Sequence, residues 1–178
     1  MLTIPENARQ PLAQQINVLR IIVASMVLGV LAFAGYAIYA NLGKPIVLAG
    51  KLEPLNLILL AMGLAMLVSG FVIPPIVFRT GNPASRIPAS LDPAIAPVLA
   101  IQTRIQTATI VGCALFEGGA FANVFGYMQS GELLHLILAG LLLLAILARF
   151  PLSGTSEQRI LDELRRAKEQ AAMGPRRA

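Results

Sequence analysis

The chain has 178 residues, 56% of them hydrophobic and 13% charged, with a mean hydropathy of +0.73. Soluble domains carry about 25% charged residues, so this composition excludes an ordinary water-soluble globule and points to one embedded in lipid. The net charge of +5 does not indicate nucleic acid, because the basic residues sort by membrane side instead of forming one patch.

Residues 1–15 are polar and interrupted by Pro5 and Pro11, which predicts a surface segment at the headgroups. Arg20 then introduces the apolar run Ile21 to Ala40, which ends with Tyr36 and Tyr39, amphiphilic aromatics that settle at membrane interfaces. Hydrocarbon about 30 Å thick takes ~20 helical residues, so a first span is expected over residues 17–41. Ala32-Phe33-Ala34 has the form of a signal cleavage site, but the run continues apolar past it, and the helix reads as uncleaved. Asn41 to Pro45 is turn chemistry. A second span over residues 55–78 closes at Pro74-Pro75, where each ring removes a donor and kinks or ends the helix. Pro83, Pro88, Pro93 and Pro97 forbid a long helix between 79 and 100, although Asp92-Pro93 suits the start of a short turn. The third and fourth spans, over residues 101–128 and 132–150, are joined tightly through Gln129-Ser130-Gly131 as an antiparallel hairpin. The fourth is short and counts Arg149 and Phe150 as its interfacial end. No run alternates as a barrel strand would. The expected fold is an all-α integral membrane bundle of four transmembrane helices within residues 1–151.

Residues 152–178 read as a cytosolic amphipathic helix and a basic tail. Thr155-x-x-Gln158 is a capping box, and Gly174-Pro175 stops the run. Ile160, Leu161, Leu164 and Ala171 share one side, while Asp162 and Arg166 are spaced to pair at i,i+4. Such a helix lies on the membrane or bundle, or docks a partner.

Of the 14 Lys and Arg residues, 12 fall on the side of the termini and the 79–100 connector; only Lys44 and Lys51 fall opposite. The positive-inside rule therefore places both termini in the cytoplasm, with the protein in a bacterial inner membrane.

An internal repeat is visible. Glu53-Pro54-Leu55-Asn56-Leu57-Ile58-Leu59 and Glu132-Leu133-Leu134-His135-Leu136-Ile137-Leu138 agree at five of seven positions. If it reflects duplication, two hairpins entered the membrane in parallel orientation and pack about an axis along its normal; leucine-rich helices also match by accident.

The third span has two faces. Gly112, Gly119 and Gly126 recur every seven residues, and Gly63 and Gly70 repeat that spacing in the second span. Small residues at this interval let neighbouring helices approach closely, so these two spans are expected to be a close pair. The other face carries Glu117, in the middle of an apolar run, with Gln106, Thr109, Cys113 and Tyr127 as its polar company. A charge at a helix centre costs roughly 2.5 to 3.5 kcal/mol on insertion scales. Glu117 is thus either a protonated acid bonded to a neighbour, such as Ser69, Asn56 or a carbonyl freed at the helix break, or an ion- or proton-binding carboxylate. A site completed by another subunit is the third reading. Asn123 points away from it and reads as an interhelical hydrogen-bonding group.

The run Ala114-Leu115-Phe116-Glu117-Gly118-Gly119-Ala120 resembles the carboxylate-bearing helix of rotary ATPase proteolipid subunits, over about residues 104–128. That resemblance implies that Glu117 binds an ion. The acid here lies on the first helix of its hairpin, whereas that family carries it on the second. More broadly the chain resembles the small four-span inner-membrane proteins of bacteria.

Enzyme motifs such as His-Glu-x-x-His, Gly-x-Ser-x-Gly and the phosphate-binding Gly-x-x-x-x-Gly-Lys are absent. No cofactor is expected: the single His135, expected at the outer interface, excludes a bis-histidine haem within one chain. The lone Cys113 excludes an internal disulfide or a thiolate metal site. The expected function is that of a non-catalytic accessory, assembly or scaffold subunit. Its partners would be the lipid bilayer and other membrane subunits or copies of itself, packed through small-residue faces. The alternatives are a proton- or cation-handling subunit built on Glu117, and a lipid- or quinone-binding bundle.

Overall fold

The computed structural model describes residues 4–45, 47–48, 50, 53–80, 95–151, 158, 160–166 and 169. The connector prolines Pro83, Pro88 and Pro93, the Thr155 capping box and the Gly174-Pro175 stop lie outside them. Among the described residues the protein is helical, with an isolated bridge between Val47 and Glu132 and no strand. Four helices are long: α1 (Glu6–Ala40), α2 (Pro54–Thr80), α3 (Ala96–Ser130) and α4 (Leu133–Ala148). The first three are long and apolar enough to cross a membrane. With 16 residues, α4 rises only about 24 Å.

The helices alternate in direction around α3, which packs against each of the other three. α2 is its closest neighbour, and α1 and α2 barely touch. The first two helices are therefore not a packed hairpin of the α3–α4 kind, and a bundle of two equivalent hairpins is not what forms. α3 is central because both of its faces can be buried. Gly112, Gly119 and Gly126 are buried toward α2 and α4, while Cys113, Phe116, Ala120 and Val124 are almost fully enclosed in the main core.

What fills the glycine positions is side chain, not a facing glycine. A Cβ on Gly63 would collide with the Asn123 amide, and one on Gly70 with the Phe116 ring. A Cβ on Gly126 would come within 2.6 Å of the His135 ring, and one on Gly119 within 2.9 Å of the Met66 Cβ. Each glycine thus receives a larger group from the next helix, which keeps the bundle dense.

α1 begins at Glu6, so residues 6–15, expected as a surface segment, continue the helix of the first span. Ala8, Leu12, Ile16, Leu19 and Val23 are buried at spacings of four and three, one helical stripe. Pro11 lies in the second turn of the helix, where its missing N–H costs a single helical bond. At 35 residues each, α1 and α3 rise about 52 Å, more than hydrocarbon requires. Their first turns lie together. There Ala8, Leu12 and Ile16 join Val98 and the fully buried Ile160 in a second, smaller core, with Leu164 against it. Residues 160–166 are helical and docked on this head, not merely lying on a surface. Within that segment Arg166 pairs with Glu163 at 3.0 Å, not with Asp162 as the spacing suggested, and Arg165 with Glu169 at 3.1 Å.

At the far end the α1–α2 loop lies across the start of α4. The Leu133 and Leu134 N–H groups donate to the carbonyls of Val47 and Leu48 at 2.9 and 3.2 Å, which satisfies donors that a helix start leaves orphaned. Glu132, buried at that helix start, accepts from the Gly50 N–H at 3.1 Å. The α3–α4 turn closes on Gly131, whose φ of 72° is a left-handed cap; its N–H returns to the Tyr127 carbonyl at 2.8 Å.

Candidate functional site

Among the described residues, four polar places bear on function, and the first follows from the proline pair in α2. In a helix the N–H of residue 74 would bond the carbonyl of residue 70, and Pro74 has none to give. Arg149, at the end of α4, supplies the donor: its Nη2 lies 2.6 Å from the Gly70 oxygen. The guanidinium also stands 5.1 Å from the Phe116 ring centre and 5.5 Å from that of Phe71, both cation–π distances. Gly112 makes room for it, since a Cβ there would collide with the guanidinium. Arg149 is therefore drawn into the bundle, not left as an interfacial anchor. The carbonyl freed by Pro74, which might have met Glu117, is taken.

The second place is a buried knot between α2, α3 and α4. The Asn123 amide donates to the Gly119 carbonyl at 2.9 Å and, across helices, to the Leu59 carbonyl at 3.3 Å. Its oxygen lies 3.1 Å from Nδ1 of His135. His135 is fully buried, not interfacial as its place near a helix start suggested. Asn56, its counterpart in the sequence repeat, is buried too. Nearby, Asn41 donates to the Ala37 carbonyl at 3.0 Å and accepts from Lys44 at 2.9 Å. These bonds tie the helices together, while Nε2 of His135 is buried without a hydrogen-bond partner among the described residues.

Glu117 is the third, and it differs. It lies toward α1, where a Cβ on Gly29 would stand 3.9 Å from its carboxylate oxygen, and it is partly exposed. It forms no hydrogen bond or ion pair among the described residues. The glycine face of α3 points elsewhere, so Glu117 is not enclosed between glycine surfaces. On α3 its neighbours Ala114 and Gly118 are small and exposed, and on α1 the nearby Gly29 also meets the Phe121 ring.

The other candidates of the Glu117 face do not converge on it. At 1.5 Å per residue, Gln106 lies ~16 Å and Tyr127 ~15 Å away along the helix. Thr109 returns its hydroxyl to the Ile105 carbonyl at 2.8 Å, and Tyr127 is buried at the far end. Cys113, one turn before Glu117, is fully enclosed. Among the described residues no group of three or more His, Cys, Asp or Glu could hold a metal.

The fourth place is an open cavity of about 800 Å³ at the arginine end, where α2, α3 and α4 meet residues 162–166. Arg79, Arg104, Arg149 and Arg166 line it together with Asp162 and Glu163; Pro74, Pro75, Phe78 and Ile105 supply apolar wall. Residue by residue, the sequence gives these arginines a membrane side, Arg149 an interfacial end and Arg166 a spacing to Asp162, but no shared site. The signal available was their recurrence at the same end of successive helices.

The fold and these sites define a helical protein with three helices of membrane-spanning length and a partly exposed acid on the central one. No family model, curated protein or solved structure matches the chain.

Proposed function

We propose that the protein is a four-span, non-catalytic subunit of a membrane assembly, with the arginine end in the cytoplasm of a bacterial inner membrane. A neighbouring transmembrane helix, from a second copy or another subunit, would dock in the groove between α1 and α3. The observation that supports this most is Glu117. A carboxyl group in the middle of a span costs free energy unless something meets it, and nothing in the described chain does. Ala114 and Gly118, small and exposed on either side of it along α3, suit close helix approach, and the incoming helix would bring a hydrogen-bond donor. The heptad glycines are used up inside the bundle and do not form this surface. α4 completes the fourth crossing through Arg149 and Phe150 at its end.

A photo-crosslinker at position 118, in membranes, tests this reading. Crosslinks to protein, between copies or to another polypeptide, are expected, and they should weaken with Glu117→Leu. Adducts to lipid alone would overturn it. A second reading, in which Glu117 carries a proton or cation, draws on the same unpartnered carboxyl. Glu117→Gln separates the two: the subunit reading expects assembly and activity of the complex near normal, the ion-handling reading an assembled but inactive complex.

A further inference from the structure

The cavity at the arginine end has a composition that the subunit reading does not explain. Four arginines face two acids there, and Glu163 is already paired with Arg166. Arg149 is engaged with the Gly70 carbonyl. Arg79 and Arg104 have no hydrogen bond or ion pair among the described residues. Nε of Arg104 is also buried without an acceptor. A buried donor left unmade is costly, and a guanidinium fork matches the oxygens of a phosphate better than it matches water.

Part of the wall is apolar. Pro74, Pro75 and Phe78 line the cavity, and on the same helix Val72 and Ile76 are exposed to the outside of the bundle, about half of each surface uncovered. An anion bound here would thus have an apolar track leading from it along α2 into the hydrocarbon. A small soluble anion has no use for that track. The volume lies within the range of about 300 to 1,000 Å³ usual for ligand sites, and basic pockets at the cytoplasmic ends of spans suit lipid headgroups.

We propose that this cavity binds the phosphate of an anionic membrane phospholipid, held by Arg79 and Arg104, with an acyl chain along Val72 and Ile76 of α2. The inference depends on the protein being membrane-embedded but not on how Glu117 is used, so crosslinking at position 118 and lipid binding fail separately.

The test is native mass spectrometry of the full chain released from detergent, titrated with phosphatidylglycerol, with phosphatidylcholine and with soluble glycerol 3-phosphate. Phosphatidylglycerol should be retained in preference to phosphatidylcholine. Arg79→Gln combined with Arg104→Gln should weaken that retention about tenfold or more, the loss of charge-assisted hydrogen bonds, while Arg9→Gln leaves it unchanged. Helical circular dichroism checks that the variants fold; should the double variant not fold, Arg79→Gln alone must still show weakened retention. Equal retention of both lipids, or retention unaffected by these substitutions, overturns the proposal. Binding of glycerol 3-phosphate as tight as that of the lipid overturns it as well, by showing a soluble ligand.

Discussion

Gly112 and Arg149 occupy one another's space: the guanidinium at the end of α4 passes over α3 where any side chain at 112 would stand. The arginine reaches the Gly70 carbonyl only because α3 is bare at that turn. Gly112→Ala should therefore destabilise the bundle by about 1 to 3 kcal/mol, the usual range for overpacking. Gly118, which has open space around it, is the control, and Gly118→Ala should leave stability unchanged or raise it. Unfolding in mixed micelles measures both, and equal effects of the two would contradict the packing described.

The bond between Arg149 and Gly70 compensates for Pro74, and the compensation can be tested as a cycle. Arg149→Met alone should cost about 1 to 3 kcal/mol, since it leaves the Gly70 carbonyl without a donor. Pro74→Ala restores an N–H to that carbonyl, so Arg149→Met should cost less in its background. Strict additivity would show that the two residues act independently.

Asn123 and His135 should behave as a pair. Asn123→Leu strands the His135 ring nitrogen in an apolar core and is expected to cost about 1 to 3 kcal/mol. Adding His135→Leu removes the stranded group, so the double variant should recover part of that loss. A double variant less stable than the first would mean that the ring is held by something other than Asn123.

Ile160 is fully buried in the second, smaller core. Ile160→Asp places a charge there and should detach the segment that carries it. Limited proteolysis should then cut near residue 160 in the variant much sooner than in the parent protein, with the bundle left intact. Equal cleavage rates would mean that the segment is not docked.

Much of the bundle is written in apolar length. The runs behind α1, α2 and α3 leave few alternatives once hydrocarbon is the solvent, and the glycine spacing marks α2 and α3 as neighbours. The first turns of α1 were hidden because Pro5 and Pro11 outweigh, to the eye, a stripe of Ala8, Leu12 and Ile16. That stripe gains meaning only when Val98 and Ile160 arrive from distant parts of the chain. Arg149 looked like an interfacial anchor because charge beside an apolar run is normally solvated. Its true partner needed two facts together, a proline at 74 and a glycine at 112. The Glu117 face was legible as a face, but a helical wheel cannot say which neighbour each side meets. Here α1 took the acidic side only in part and left it open.

The small core joins the first turns of α1 to a residue far along the chain. The stripe on α1 emerges from the ribosome early, yet Ile160 is synthesised some 150 residues later. During translation those turns of α1 stay uncovered until Ile160 has been made. Misinsertion of any helix between would strand the two halves on opposite sides and deny both their cover, which gives quality-control proteases a patch to recognise.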